Sequence, residues 1–409
     1  MNERRSFSQY GGEITTAGDP EIAAQLVGAW RSTTRRSPPK PTVERGESEP
    51  DQGNDDVRDL THGFHAYPAR LHPRLAGALI EQFSRPGEFV VDPFCGSGTV
   101  LVEALAAQRH AFGSDVNALA IRLAHQKSRV TAPAWRARFL AAADRVARRG
   151  FEAARQEDDL GPPPPEVASW FLPHVWRELD ALGQTVDRVA DRVLHETLLL
   201  VLSSLLTKVS RRESETSERV RWKPITAGFT SHLFIERARE LERGLAALAK
   251  AAGRGVAAEV ALADARRLPL ADGSAALIVT SPPYFGTYDY AAIQTLRAQL
   301  IGLDLGVAQR HELGRRGAAN RDGPAALAEF TDGMADALRE MARVLRPDGF
   351  AVVVTGDSHA GGRSIDGLAW LGEAAARAGL AIAASATQMR PLPAAREHLA
   401  ALRVSSRGP

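Results

Sequence analysis

The stretch Val90-Val91-Asp92-Pro93-Phe94-Cys95-Gly96-Ser97-Gly98-Thr99, answered far downstream by Thr280-Ser281-Pro282-Pro283-Tyr284, constrains this chain more than any other feature. Each half ends an apolar run of strand character with a sharp turn. In the first half, glycines followed by an apolar helix from Thr99 to Ala107 bring backbone N–H groups and a helix N-terminus close to a ligand. Gly96 and Gly98 remove the Cβ atoms that would block that approach. The spacing is not the dinucleotide fingerprint G-x-G-x-x-G, because position 101 is Leu, and the Lys of a phosphate-binding loop is missing. A ligand with a carboxylate and a nucleoside, but no polyphosphate, fits this loop better.

From His72 onward, helices alternate with short apolar strands, the pattern of an α/β protein with a doubly wound, Rossmann-like sheet. The pattern predicts seven strands, at Phe89–Asp92, Ala111–Asp115, Ala257–Leu262, Ala276–Thr280, Ala351–Thr355, Leu380–Thr387 and His398–Val404. Helices are expected between them, for example over Thr99–Gln108, Ala118–Lys127, Ala325–Leu345 and Ile365–Ala378. The stretch between the second and third strands is far longer than ordinary connections and reads as almost wholly helical. Candidate helices there are Trp135–Arg149, Val175–Arg192, Glu196–Val209 and Ser231–Ala252.

The chain therefore divides into an arm over 1–57, a first part of the catalytic domain over 58–130, a large helical insertion over 131–254, and the rest of the catalytic domain over 255–409. The arm is rich in Pro, Ser, Glu, Arg and Gly and is expected to be disordered, apart from a short helix from Pro20 to Trp30.

Composition narrows the function classes. The net charge of +2 gives no strong global field toward nucleic acid. Only five of the 51 basic residues are lysines, so an arginine-rich composition pervades the chain and arginine clusters lose value as signs of nucleic-acid binding. The single cysteine, Cys95, excludes an intramolecular disulfide and multi-cysteine zinc or iron–sulfur sites. Its place inside the glycine loop makes it a packing residue. No secretory signal is present, and the longest apolar stretch, Leu198 to Leu206, is interrupted by serines and too short to span a bilayer. A cytoplasmic protein without a membrane partner is the expectation.

Asp92 to Thr99 resembles motif I of the S-adenosylmethionine-dependent DNA amino-methyltransferases, the N4-cytosine and N6-adenine methylases, and Ser281-Pro282-Pro283-Tyr284 resembles their catalytic motif IV. Thr61 to Pro73, containing His62, His65, Tyr67, Pro68 and His72, resembles motif X. The resemblance implies a seven-stranded methyltransferase sheet whose last strand is antiparallel, with S-adenosyl-L-methionine as cofactor and DNA as partner. It implies that Asp92, Pro93, Phe94, Gly96, Ser97, Gly98 and Thr99 hold the methionine portion, with Tyr67 and Pro68 packed against it. Asp115, ending the second strand, would accept the ribose hydroxyls, and Asp264, after the third, the adenine amino group. A helix N-cap or turn residue for Asp115 and a surface loop residue for Asp264 are the alternatives.

An exocyclic amine is a poor nucleophile because its lone pair is delocalised into the ring, so the site must accept its N–H bonds. Ser281 Oγ and the Pro282 carbonyl are the candidate acceptors, Pro283 stiffens the turn, and Tyr284 would stack on a flipped base with Phe285 beside it. A serine at the head of the tetrad is the form associated with N4-cytosine enzymes. No metal is expected, because methyl transfer from a sulfonium needs none; a Pro-delimited helix start is the plainer account of the three histidines.

Two basic loops, Lys208 to Lys223 and His311 to Arg321, are candidates for phosphate contacts and equally for solvated surface. The insertion is the candidate target-recognition lobe, and a restriction endonuclease a candidate partner. A transfer-RNA guanine-N2 methyltransferase, with a similar glycine loop and Pro-Pro-Tyr tetrad, and a nucleic-acid-binding protein with a vestigial cofactor pocket are the competing readings.

Overall fold

The structure, a computed structural model, describes residues 13–33, 60–156, 162, 163, 165, 168–212, 219–286, 294–314, 323–360, 363–390 and 395–405. Strand residues alternate between two apolar layers, which is the period-2 consequence of extended backbone. Val90, Leu277, Val279, Val352, Val354, Leu399 and Ala401 enter one core; Val91, Ile278, Val353, Ala400 and Leu402 enter the other. Both faces are therefore covered. The central strand Ala275–Thr280 is buried along its whole length, as its unbroken apolar sequence requires.

In chain order the strands are β1 (Ile14–Gly18), β2 (Phe89–Asp92), β3 (His110–Asp115), β4 (Ala258–Leu262), β5 (Ala275–Thr280), β6 (Leu345–Gly356), β7 (Ser358–Ala360), β8 (Arg363–Ile365), β9 (Leu380–Arg390) and β10 (Ala395–Val404). The main sheet has eight strands in the order β1-β9-β10-β6-β5-β2-β3-β4, and β7 and β8 form a small separate hairpin. The run β6-β5-β2-β3-β4 is parallel. The last strand, β10, is antiparallel to both β6 and β9. This is the expected doubly wound sheet with one strand more.

The additional strand corrects the reading of the N-terminal arm. Residues 14–18 pair antiparallel with β9, from Ile14 opposite Gln388 to Gly18 opposite Ala384. Asp19 then caps helix α1 (Pro20–Ser32) by accepting from the N–H groups of Glu21 and Ile22. Leu26, Ala29 and Trp30 of α1 are buried against α2 (Pro73–Phe83) and the sheet. The arm's residues 1–12 and 34–57 lie outside the described residues.

Helices α1, α2 and α3 (Thr99–Ala106) cover one face of the sheet. The helices Gly323–Val344 and Gly367–Arg377 cover the other. The chain after β2 thus crosses on one side and the chain after β5 on the opposite side. Between these adjacent parallel strands lies the switch point, where a doubly wound sheet opens a crevice at its carboxyl ends.

After α4 (Ala118–Lys127), the insertion forms α5 (Pro133–Gln156), α6 (Pro173–Asp187), α7 (Arg192–Val209) and α8 (Phe229–Ala252), the four helices expected there. Phe139, Leu179, Leu182, Leu198, Leu202, Phe234 and Leu241 fill a core of its own, joined to α4 through Leu119 and Leu123. One buried carboxylate ties it together. Glu178 on α6 accepts from the N–H groups of Gly228, Thr230 and Ser231, satisfying donors that the start of α8 would otherwise leave orphaned. Residues 213–218 and 315–321 of the two basic loops lie outside the described residues.

Candidate functional site

The carboxyl end of β2 delivers Asp92 directly into the glycine loop. Its side chain is buried and accepts from Phe94 N at 3.1 Å, which shapes the turn. Its Oδ1 also accepts from Thr280 Oγ1 at 2.7 Å. That bond joins the last residue of β2 to the last residue of β5, one residue before Ser281. The two distant motifs therefore meet at the switch point of the sheet.

The loop's two glycines are needed for different reasons. Gly98 has φ +83°, and a Cβ there would stand 2.9 Å from the backbone Cα of Ala124 on α4. Gly96 has φ +48°, and a Cβ would meet the Tyr67 ring at 3.2 Å, so the motif X tyrosine lies over the loop. Gly98 then opens α3, whose first residues Thr99 and Val100 are buried. A cavity at this point is lined by Tyr67, Arg70, Asp92, Phe94, Gly96, Ser97, Thr99 and Ser281, among others. It brings together residues from motifs X, I and IV. Pro68 and Pro93 adjoin its walls in sequence without lining it.

Asp115 ends β3, as the pattern predicts. Its Oδ2 accepts from Gly96 N at 3.0 Å and its Oδ1 from Asn117 N at 2.9 Å, so it braces the loop from the neighbouring strand. It is not the helix cap: Asn117 caps α4, accepting from the N–H groups of Leu119 and Ala120. Burial pushes the Asp92 carboxyl up to about 7, against the hydrogen bonds from Thr280 and Phe94. Burial likewise pushes Asp115 up to about 6, against three backbone N–H groups. Asp92 lines the cavity, whereas Asp115, like Asp264, is absent from its lining and reaches it through Gly96 N.

Asp264 is engaged elsewhere. Its two oxygens are gripped by the Arg266 side chain at 2.6 to 3.1 Å, and His311 Nδ1 lies 3.7 Å away. Burial works to raise its pKa, but the Arg266 contacts outweigh it and the net shift is downward. Asp264 is absent from the lining of the cavity. The surface-loop account describes it better than an adenine acceptor.

The turn after β5 is anchored on its aromatic side. Phe285 is buried against Phe330, with centroids 5.4 Å apart, and Phe330 stacks on Trp370 at 4.9 Å. Gly286 N donates to the Gly314 carbonyl at 2.9 Å. Pro282 is buried, Ser281 and Pro283 are half-buried, and the Tyr284 ring rests where a Cβ on Gly356 would be, 3.0 Å away. Beyond Gly356, Asp357 accepts from Arg396 at 2.7 Å and lies 3.1 Å from His398 Nε2, closing the end of β6 onto β10.

The motif X histidines go separate ways. His62 Nε2 meets Glu103 Oε1 at 2.6 Å, while His65 Nε2 sits 3.1 Å from Ser203 Oγ in the insertion and 3.1 Å from Arg297. Burial, with the Arg297 charge, holds His65 well below its usual pKa, so it is a neutral wedge between the two lobes. Among the described residues the one group with metal-ligand proximity is Asp357, Asp366 and His398. Arg396 occupies both of those carboxylates.

Residues 29–126 match the family model described as DNA methylase. The likeness to that family is confined to this segment. It spans motif X, the glycine loop and Asp115, whereas motif IV lies beyond it. A type II methyltransferase, M.MvaI of Kocuria varians, is 40% identical over 78 residues, which is 18% of this chain and 17% of that relative. A second, M.MjaII of Methanocaldococcus jannaschii, is 32% identical over 56 residues, 14% of this chain and 11% of the relative. The matched stretches thus span less than a fifth of either relative's length. A TehB-like SAM-dependent methyltransferase from Corynebacterium glutamicum overlaps 81% of this chain and 87% of its own, at 12% identity and a TM-score of 0.30, too loose a superposition to carry weight. Among the described residues no helix is long and apolar enough to cross a membrane.

Sequence reading missed Arg70 on the cavity wall and Lys127 behind the loop. Arg70 lay in plain view within Tyr67-Pro68-Ala69-Arg70, two residues beyond the proline. Lys127 carried a weaker signal, as the last residue of a helix opened by the Asn117 cap.

Proposed function

We propose that this chain is a DNA amino-methyltransferase that transfers a methyl group from S-adenosylmethionine to an exocyclic amine, with cytosine N4 favoured over adenine N6. The observation that carries this is the Thr280–Asp92 hydrogen bond, together with Ser281 in the wall of the glycine-loop cavity. The residues fit the donor: Gly96 and Gly98 leave a cradle that a Cβ would fill, Asp92 lines the cavity on the methionine side, and Asp115 at the end of β3 is the carboxyl for the ribose hydroxyls. When bound, S-adenosylmethionine supplies a methyl carbon made electrophilic by its sulfonium.

In this reading the chain's own groups do the orienting. The Ser281 hydroxyl and the Pro282 carbonyl accept the amine N–H bonds, turning the nitrogen lone pair toward the donor. The proline pair and the Phe285–Phe330–Trp370 stack hold that turn still. Tyr284 supplies the ring on which a base taken out of the duplex stacks. The insertion, rigidified by its own core, serves as target-recognition lobe, with Arg211, Arg212, Arg221 and exposed Trp222 on one loop.

The test is methylation of duplex DNA and of bulk transfer RNA with labelled donor, followed by nucleoside analysis. N4-methylcytosine in the duplex is the expected product. Label confined to transfer RNA would transfer the assignment to an RNA enzyme, and N6-methyladenine would reverse the choice of base.

A further inference from the structure

Behind the glycine loop lies a buried cation. Lys127, in the last turn of α4, is fully buried, and its Nζ donates to Ser97 Oγ at 3.2 Å. Arg70 lines the cavity from the motif X side, and its Nη1 donates to the His62 carbonyl at 2.5 Å. Among the described residues neither cation is ion-paired with a carboxylate: Glu103 is held by His62, and Asp92 accepts from Thr280 and Phe94 N through Oδ1.

Such an arrangement is unfavourable as it stands. An ammonium has three donors and no acceptor, and burying it with one hydroxyl for company costs stability. Burial brings Arg70 down to about 10. Burial, and then the charge of Arg70, holds Lys127 well below its usual value. Two cations placed near each other without a counter-charge, against a ligand cavity, make an anion site.

We propose that Arg70 and Lys127 form the subsite for the carboxylate of the donor's amino-acid end, with Arg70 contacting it and Lys127 positioning Ser97. This rests on the donor assignment above. Ser97 Oγ accepts from Lys127 Nζ, which leaves its own proton free for an acceptor in the cavity that Ser97 lines. The α3 N-terminus, opened by Gly98, adds N–H groups of the same polarity. Asp92 in the same wall receives the amino group. A zwitterion then finds a cationic and an anionic partner across one cavity, which a neutral nucleoside does not need.

The experiment is calorimetric titration of the full chain with S-adenosylmethionine, its decarboxylated analogue, and methylthioadenosine, which lacks the amino-acid end. The wild-type chain should prefer the carboxylate-bearing donor over the decarboxylated one by about tenfold or more. Arg70→Gln and Lys127→Met should bring that ratio close to one, while methylthioadenosine affinity stays within about twofold and reports an intact fold. An unchanged ratio in Arg70→Gln, or a wild-type chain that binds methylthioadenosine without discriminating the other two, overturns the subsite. Should Lys127→Met fail to fold, Arg70→Gln on the cavity wall decides alone. Failure of the wild-type chain to bind any of the three ligands would instead overturn the donor assignment itself.

Discussion

Glu178 in the insertion and Lys127 in the sheet domain are both charged side chains withdrawn from solvent, and their surroundings differ completely. Glu178 accepts three backbone N–H bonds at the start of α8. Lys127 has one hydroxyl. In the insertion the buried charge is matched by backbone donors and ties two helices together. The sheet domain places Asp92 and Arg70 on the wall of one cavity, with Asp115 and Lys127 behind the glycine loop, in states that burial disfavours. Glu178 is matched by its partners and Lys127 is not, and such a mismatch beside a cavity marks a group kept for a ligand.

The contrast can be broken most directly at motif IV. Replacing both Ser281 and Tyr284 with Ala should reduce methyl transfer by about a thousandfold, with donor affinity unchanged in calorimetric titration; retained turnover would remove the chemistry from the sheet domain.

Asp92→Asn comes next and exploits the raised pKa. A carboxyl that titrates at about 7 when folded holds a proton that the unfolded chain has already released. Its contribution is therefore complete below about pH 4, declines as pH climbs, and is lost above about 7. The asparagine variant escapes that decline, so its stability relative to wild type should rise by about 3 kcal/mol between pH 4 and pH 8. Urea unfolding at the two pH values measures it, and a flat difference would mean that Asp92 is an ordinary carboxylate.

Glu178→Ala should cost about 2 kcal/mol, because three helix-start donors lose their acceptor. Donor binding in the folded fraction should be unaffected; a drop in donor affinity would show that the insertion and the cavity are not independent. The smallest effect is at Trp222, which is 77% exposed. Trp222→Ala should change stability by less than about 0.5 kcal/mol while weakening binding to DNA in a gel-shift titration, and unaltered DNA binding would free this loop from any role in target contact.

Much of the sheet could be read from the chain because its strands obey a local rule. The run from Phe89 to Asp92 matches the observed strand residue for residue, and all four insertion helices fall where their apolar spacing puts them. The strand at 14–18 escaped because four of its five residues are exposed and none is buried, and its partner, β9, begins more than 360 residues later. No local pattern encodes such a pairing. The site divided in the same way. Asp92, Gly98 and Ser281 were legible from motif and turn chemistry, whereas the burial of Lys127 is decided by Thr61, Ser97 and α4 coming together from separate segments. Asp264 misled because Arg266, two positions on, competes for it at short range, a rivalry that position after a strand does not reveal.

The short N-terminal strand has a consequence for how molecules of this protein meet each other. β9 is eleven residues long, and without β1 its outer row of backbone donors and acceptors would stand open beside β10. Pairing with Ile14–Gly18 spends that row internally, and the helix capped by Asp19 follows at once. The segment works as a hem on the sheet, replacing an eleven-residue margin suited to recruiting a neighbour's strand with a five-residue one that runs straight into a helix.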